Sequence, residues 1–137
     1  MDFLARREHT TKEIFIKLKS RVESIDILSA EIKKLEEEGL IDNQRFAEQY
    51  IHSRSAKGYG PFRIKQELKQ RGVNGNISQP LLNNIDWTSL AIEVLKKKVI
   101  HELPEETKSV LKLKKFLNYR GFDFSQIEQA FSSYKKT

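Results

Sequence analysis

The stretch Arg54–Gly72, RSAKGYGPFRIKQELKQRG, decides how the rest of the chain is read. It holds six bases (Arg54, Lys57, Arg63, Lys65, Lys69 and Arg71) against the single acid Glu67, and three of the chain's six glycines. Gly58-Tyr59-Gly60-Pro61 reads as a helix stop followed at once by a helix start. Glycine lets the chain turn, and proline at a first helical position loses no intrahelical bond. The segment therefore predicts a helix, a tight turn and a second helix that turns Ile64 and Leu68 inward and closes at Gly72.

Working outward, every periodic segment reads as helix and none alternates like a strand. Thr10-Thr11-Lys12-Glu13 has capping-box spacing and opens a helix with Ile14, Leu18 and Phe15 inward. Ile25, Leu28, Ile32 and Leu35 form the stripe of the next, which stops at Gly39. Asp42 caps a helix with Phe46, Ala47, Tyr50 and Ile51 on one side. Beyond Gly72, Ser78 is expected to begin a short helix through Leu81 and Leu82. Asp86 then caps a longer one with Leu90, Ala91, Val94 and Leu95, where Trp87 reads as core. Pro104 is expected to open a helix with Leu113, Phe116 and Leu117 that ends at Gly121. Ser125 and Glu128 repeat the capping-box spacing before Ile127 and Phe131. Nine helices are expected in all, the first short and the last frayed.

Three segments share a skeleton: IFIKLKSRVESIDILSAEI from Ile14, RIKQELKQRGVNGNISQPLL from Arg63 and KLKKFLNYRGFDFSQIEQAF from Lys112. In each, a leucine (Leu18, Leu68, Leu117) is followed three residues later by an arginine (Arg21, Arg71, Arg120). The second and third copies then have glycine where a helix must end, and the first has Val22. A spacing of about 50 residues suits a helical array. The expectation is an all-α, elongated and curved array of three tandem three-helix repeats, approximately 1–41, 42–85 and 86–137. Units this small bury a core only by stacking on neighbours. A compact helical bundle with coincidental similarity is the alternative.

The 137 residues suit a single domain, and the net charge of +6 points to a polyanionic partner. Cysteine is absent, which excludes disulfides and thiol catalysis and fits a reducing compartment. No apolar run approaches the roughly 20 residues that span a bilayer. The N-terminus has no signal-peptide core. A cytoplasmic protein without membrane association is expected. His9, His52 and His101 are scattered, and Gly58-Tyr59-Gly60 follows no strand. No metal site, nucleotide loop, cofactor or enzymatic activity is therefore expected.

Charge is unevenly spread. Glu23–Glu48 is acidic, whereas 51–85 and Lys96–Arg120 are basic. Lys65 and Lys69 share one helical strip, where like charges weaken a helix, so an anionic partner explains them better than stability does. The candidate partner-binding residues are Arg54, Lys57, Tyr59, Arg63, Lys65, Lys69, Arg71, Lys112, Lys115 and Arg120. Tyr59 either stacks on a partner or tucks into the core. Arg71 and Arg120 either contact a partner or cap helix carbonyls beside their glycines. Lys96-Lys97-Lys98 splay around a helix whose last turn attracts cations in any case. Glu36-Glu37-Glu38 either solubilises the chain or faces basic elements of a protein partner.

The pattern Arg54-x-x-x-Gly58-Tyr59-Gly60-Pro61-x-Arg63-Ile64-x-x-Glu67-Leu68-x-x-Arg71-Gly72 resembles the RecX family of recombinase modulators. Gly39-Leu40-Ile41-Asp42-x-x-Arg45-Phe46-Ala47, Arg7-Glu8-His9 with Glu13, Asp86-Trp87 and Lys115-Phe116-Leu117-x-Tyr119-Arg120-Gly121-Phe122 extend the likeness over nearly the whole chain. Two features depart from it: the helix ahead of Arg7 is almost missing, so that end reads as incomplete, and Val22 replaces a glycine. The resemblance implies tandem three-helix repeats in a non-enzymatic regulator that lies in the groove of the RecA–DNA filament. It implies restraint of filament extension, ATP hydrolysis and strand exchange. The RecA filament is then the partner, with single- or double-stranded DNA a further contact, and a monomer is expected. The residues alone leave open a stand-alone nucleic-acid-binding helical module, or a scaffold bridging other proteins.

Overall fold

The computed structural model describes residues 9–19, 25–39, 41–99 and 103–136. Among them are eight helices and no strand: α1 Thr11–Leu18, α2 Ile25–Glu37, α3 Asn43–Ala56, α4 Pro61–Gln70, α5 Gly75–Leu82, α6 Trp87–Lys98, α7 Thr107–Tyr119 and α8 Phe124–Lys136. The all-α expectation holds. The ninth helix, Arg7, Glu8, the Arg21–Val22 turn, Leu40 and His101 lie outside the described residues.

Helix starts follow side-chain chemistry. Thr10 and Glu13 form the expected capping box, and Asp42 and Asp86 accept the amides of Arg45 and Ser89. Three starts differ from the sequence reading. α5 begins at Gly75 because Asn74 caps it through the Asn76 amide, so Ser78 is not the start but a fully buried interior residue. α7 begins at Thr107, three residues after Pro104, with Glu106 at the cap position. The final capping box belongs to Asp123 and Gln126, which exchange hydrogen bonds of 2.9 and 2.7 Å, and not to Ser125 and Glu128.

The repeated Leu-x-x-Arg-Gly signature is a helix ending. In α4 the Gly72 amide donates to Lys69 and the Val73 amide to Leu68; in α7 the Gly121 amide donates to Asn118 and the Phe122 amide to Leu117. Both glycines have positive φ, 95° and 106°, which a side chain disfavours. Leu68, Val73, Leu117 and Phe122 are all buried, so each turn is stapled to the core by the apolar residues on either side of it. Burying one such side chain contributes roughly 1.5–3 kcal/mol.

Among the described residues the buried apolar side chains form two separate cores. Ile14, Leu28, Ile32, Leu35 and Ile41 form one between α1 and α2. A larger, continuous core runs from Phe46 to Phe131 and joins the α3–α5 group to the α6–α8 group. Trp87 lies in it, 7% exposed, with its indole N–H on the Leu82 carbonyl at 2.8 Å.

Candidate partner-binding surface

The turn between α3 and α4 sets the site. α4 starts on Gly60 without a side-chain cap, and its free amides find carbonyls elsewhere. The Gly60 amide donates to Arg120 O at 2.7 Å and the Phe62 amide to Gly121 O at 3.0 Å. Proline at position 61 removes the one amide between them that would need a further acceptor. A Cβ on Gly60 would lie 2.5 Å from the Gly121 carbonyl carbon, so only glycine permits this approach. The α7 ending is thereby locked onto the α4 start.

That lock gathers the arginines. Tyr59, half-buried and packed against the larger core, is faced by the guanidiniums of Arg54, Arg63 and Arg120 at 3.9, 4.5 and 4.9 Å from the ring centroid. Arg54 makes two 3.0 Å hydrogen bonds to Glu67, Arg63 lies 3.5 Å from the same carboxylate, and the Tyr50 hydroxyl donates to it at 3.1 Å. Three positive charges less one negative leave +2 around a single tyrosine. Burial would raise the Glu67 carboxyl, but hydrogen bonds from Arg54 and Tyr50 and the charge of Arg54 outweigh it and hold it below its usual range. Burial pushes the Tyr50 phenol up. Arg54 is held above its ordinary value by Glu67, against the opposing effect of burial.

Of the ten residues expected from sequence, the structure brings Arg54, Tyr59, Arg63 and Arg120 together. Lys57 joins them through its carbonyl, which accepts from Arg120 Nη1 at 3.1 Å. Arg120 thus serves a helix-end carbonyl, but one belonging to α3. Arg71 stands at the other end of α4, paired with Glu13 at 3.1 Å and lying over the Tyr50 ring at 5.0 Å. Tyr59 packs inward. Lys65, Lys69, Lys112 and Lys115 project from α4 and α7 as exposed side chains, Lys65 reaching Gln79 at 2.7 Å.

Sequence reasoning missed the clamp. Glu67, the lone acid among six bases and one turn beyond Arg63, was the available signal. It also missed three large exposed aromatics, Phe62, Tyr119 and Phe124, 60%, 74% and 76% exposed, which flank the Gly60–Gly121 contact in sequence. Arg63 binds the Tyr119 carbonyl at 3.3 Å and lies over its ring. No metal-competent cluster and no helix long and apolar enough to cross a membrane occur among the described residues.

Eight helices among the described residues, closed at α4 and α7 through Leu-x-x-Arg-Gly endings and with arginines gathered on one tyrosine, define an all-α protein of tandem helical repeats. The comparisons specify which. The profile of the RecX second three-helix domain matches residues 42–79. Regulatory protein RecX of Pseudomonas putida (strain GB-1) and that of Pseudomonas entomophila (strain L48) are each 39% identical over 134 residues, covering 96% of this chain and 86% of theirs. The crystal structure of RecX from Lactobacillus salivarius shares the fold with a TM-score of 0.85, covering 99% of this chain and 92% of that one at 24% identity. The chain belongs to the RecX family of regulatory proteins.

Proposed function

We propose that this chain is a non-enzymatic regulator that binds in the groove of the RecA–DNA filament and restrains its extension, ATPase activity and strand exchange. The observation that carries the reading is membership of the RecX family over nearly the full length. It is supported by the exposed lysines of α4 and α7: among the described residues no carboxylate pairs with Lys65, Lys69, Lys112 or Lys115. The repeats, near 1–41, 42–85 and 86–137, would bind successive filament subunits weakly, each anchored repeat raising the local concentration of the next. Arg54 and Arg63 hold the scaffold and steer rather than contact; the four lysines are the contact set.

The test is co-sedimentation with preformed RecA filaments, beside DNA alone and RecA alone, with DNA-stimulated ATPase read in parallel. Changing Lys65, Lys69, Lys112 and Lys115 to glutamate is expected to abolish co-sedimentation and ATPase inhibition while the helical spectrum is retained. Tight binding to bare duplex with a log–log salt slope of about −0.9 per phosphate, and no effect on ATPase, would assign the chain to the nucleic-acid-binding class instead.

A further inference from the structure

A pocket of about 320 Å³ opens where the end of α3 meets α6 and the end of α7. Four cations, Lys57, Lys97, Lys98 and Arg120, line it against one acid, Glu93, a net +3. Its apolar wall is Leu90, Val94 and Phe116. The Lys98 amine and the Arg120 guanidinium lie 4.8 and 5.0 Å from the Phe116 ring centroid. Arg120 is also fixed by its hydrogen bond to the Lys57 carbonyl. Lys57, Lys97 and Lys98 are exposed, and no carboxylate pairs with them among the described residues.

A helix dipole accounts for cations in the last turn of α6, where Lys97 and Lys98 stand. It does not account for Lys57 and Arg120, which reach the same pocket from two other elements. Four like charges around one small apolar hollow repel each other, and an anionic occupant relieves that repulsion. The volume lies at the lower end of ligand-sized cavities and suits one large apolar side chain. A nucleic-acid strand fits less well, because it binds by stacking successive bases and the lining of this one-side-chain hollow holds a single aromatic, Phe116.

We propose that this pocket docks an acidic protein segment that inserts one apolar side chain against Phe116 and Leu90 while its carboxylates meet Lys57, Lys97 and Lys98. Only the source of that segment, a subunit of the filament, rests on the function proposed above. Lys57 and Arg120 are among the ten candidates read from sequence and Lys97 and Lys98 are not; none of Lys65, Lys69, Lys112 and Lys115 lines the pocket, so the surface is distinct from the lysine strips of α4 and α7.

The experiment measures fluorescence anisotropy of a fluorescein-labelled peptide of glutamates around one central phenylalanine, titrated with the full chain. Binding is expected, weakened roughly tenfold by Lys97→Glu with Lys98→Glu and tightened severalfold by Glu93→Lys, as charge complementarity requires. Replacing the phenylalanine with serine is expected to weaken binding severalfold, because the apolar anchor is lost. Circular dichroism confirms that each variant stays folded, and the gain expected for Glu93→Lys cannot arise from misfolding. Equal affinity for the serine peptide, or no gain with Glu93→Lys, overturns the proposal. So does an oligothymidylate that outcompetes the peptide with the same dependence on Lys97 and Lys98. Peptide binding without co-sedimentation on RecA filaments leaves the pocket standing and overturns the filament reading alone.

Discussion

Two joints in this molecule use the same motif and different chemistry. At the joint between α4 and α7, the Arg120–Gly121 ending meets the Gly60 start through two main-chain hydrogen bonds, and one core continues across. At the joint between α1 and α4, the Arg71–Gly72 ending meets the Thr10 start through side chains. The Thr10 hydroxyl donates to Arg71 O at 2.6 Å, Arg71 pairs with Glu13, and the Lys12 amine reaches Gln70 O at 3.2 Å. Among the described residues the core stops there, and an open crevice of about 650 Å³ runs beside Gly72. Thr10 and Gly60 occupy equivalent places in the repeat, so a hydroxyl at one joint does the work of a backbone amide at the other. A joint of side chains with separate cores is expected to yield before a joint of main chain with a shared one, the α1–α2 pair opening first.

The largest break should come at the main-chain joint. Gly60→Ala drives a Cβ into the Gly121 backbone and is expected to cost about 3 kcal/mol or more in urea unfolding. Gly72→Ala meets strain from its positive φ and an approach of 2.5 Å to Lys12 Cβ, which eases only if α1 shifts across the side-chain joint; a loss of about 1–2 kcal/mol is expected. Parity of the two, or a larger loss at Gly72, would erase the contrast between the joints. Glu67→Gln leaves Arg54 without its carboxylate and should cost about 2 kcal/mol at neutral pH. Because the Glu67 carboxyl is held down in the folded state, that stabilisation is complete above the unfolded value near ~4.3. It is lost as pH falls through the folded value, so variant and parent should converge in acid. Thr10→Ala removes a cap and an inter-helix bond for about 1 kcal/mol. Hydrogen exchange should then quicken in α1 and α2 while α6 and α8 stay protected.

Much of the fold was legible because its signals are local. Leu68, Arg71, Gly72 and their counterparts in α7 spell a helix ending within six residues, and Thr10, Asp42 and Asp86 spell starts. The misreadings fell where two local patterns overlap. Asn74 and Ser78 both precede apolar residues, and the structure follows Asn74 even though that leaves Pro80 inside the helix. Asp123–Gln126 and Ser125–Glu128 have the same cap spacing, and burial of Phe122 favours the earlier pair. The site was legible as charge and not as geometry. Nothing near Arg54 in sequence announces that Arg120 will share its tyrosine, since that depends on a contact between Gly60 and Arg120.

A joint closed by amides and carbonyls is indifferent to the side chains it carries, glycine at the crossing excepted. Exposed Phe62 and Tyr119 can therefore change character without loosening the array. The other joint has less latitude, since Thr10, Lys12, Glu13 and Arg71 hold it by their side chains. Side chains at the surface are thus freest to vary where the chain is most firmly closed.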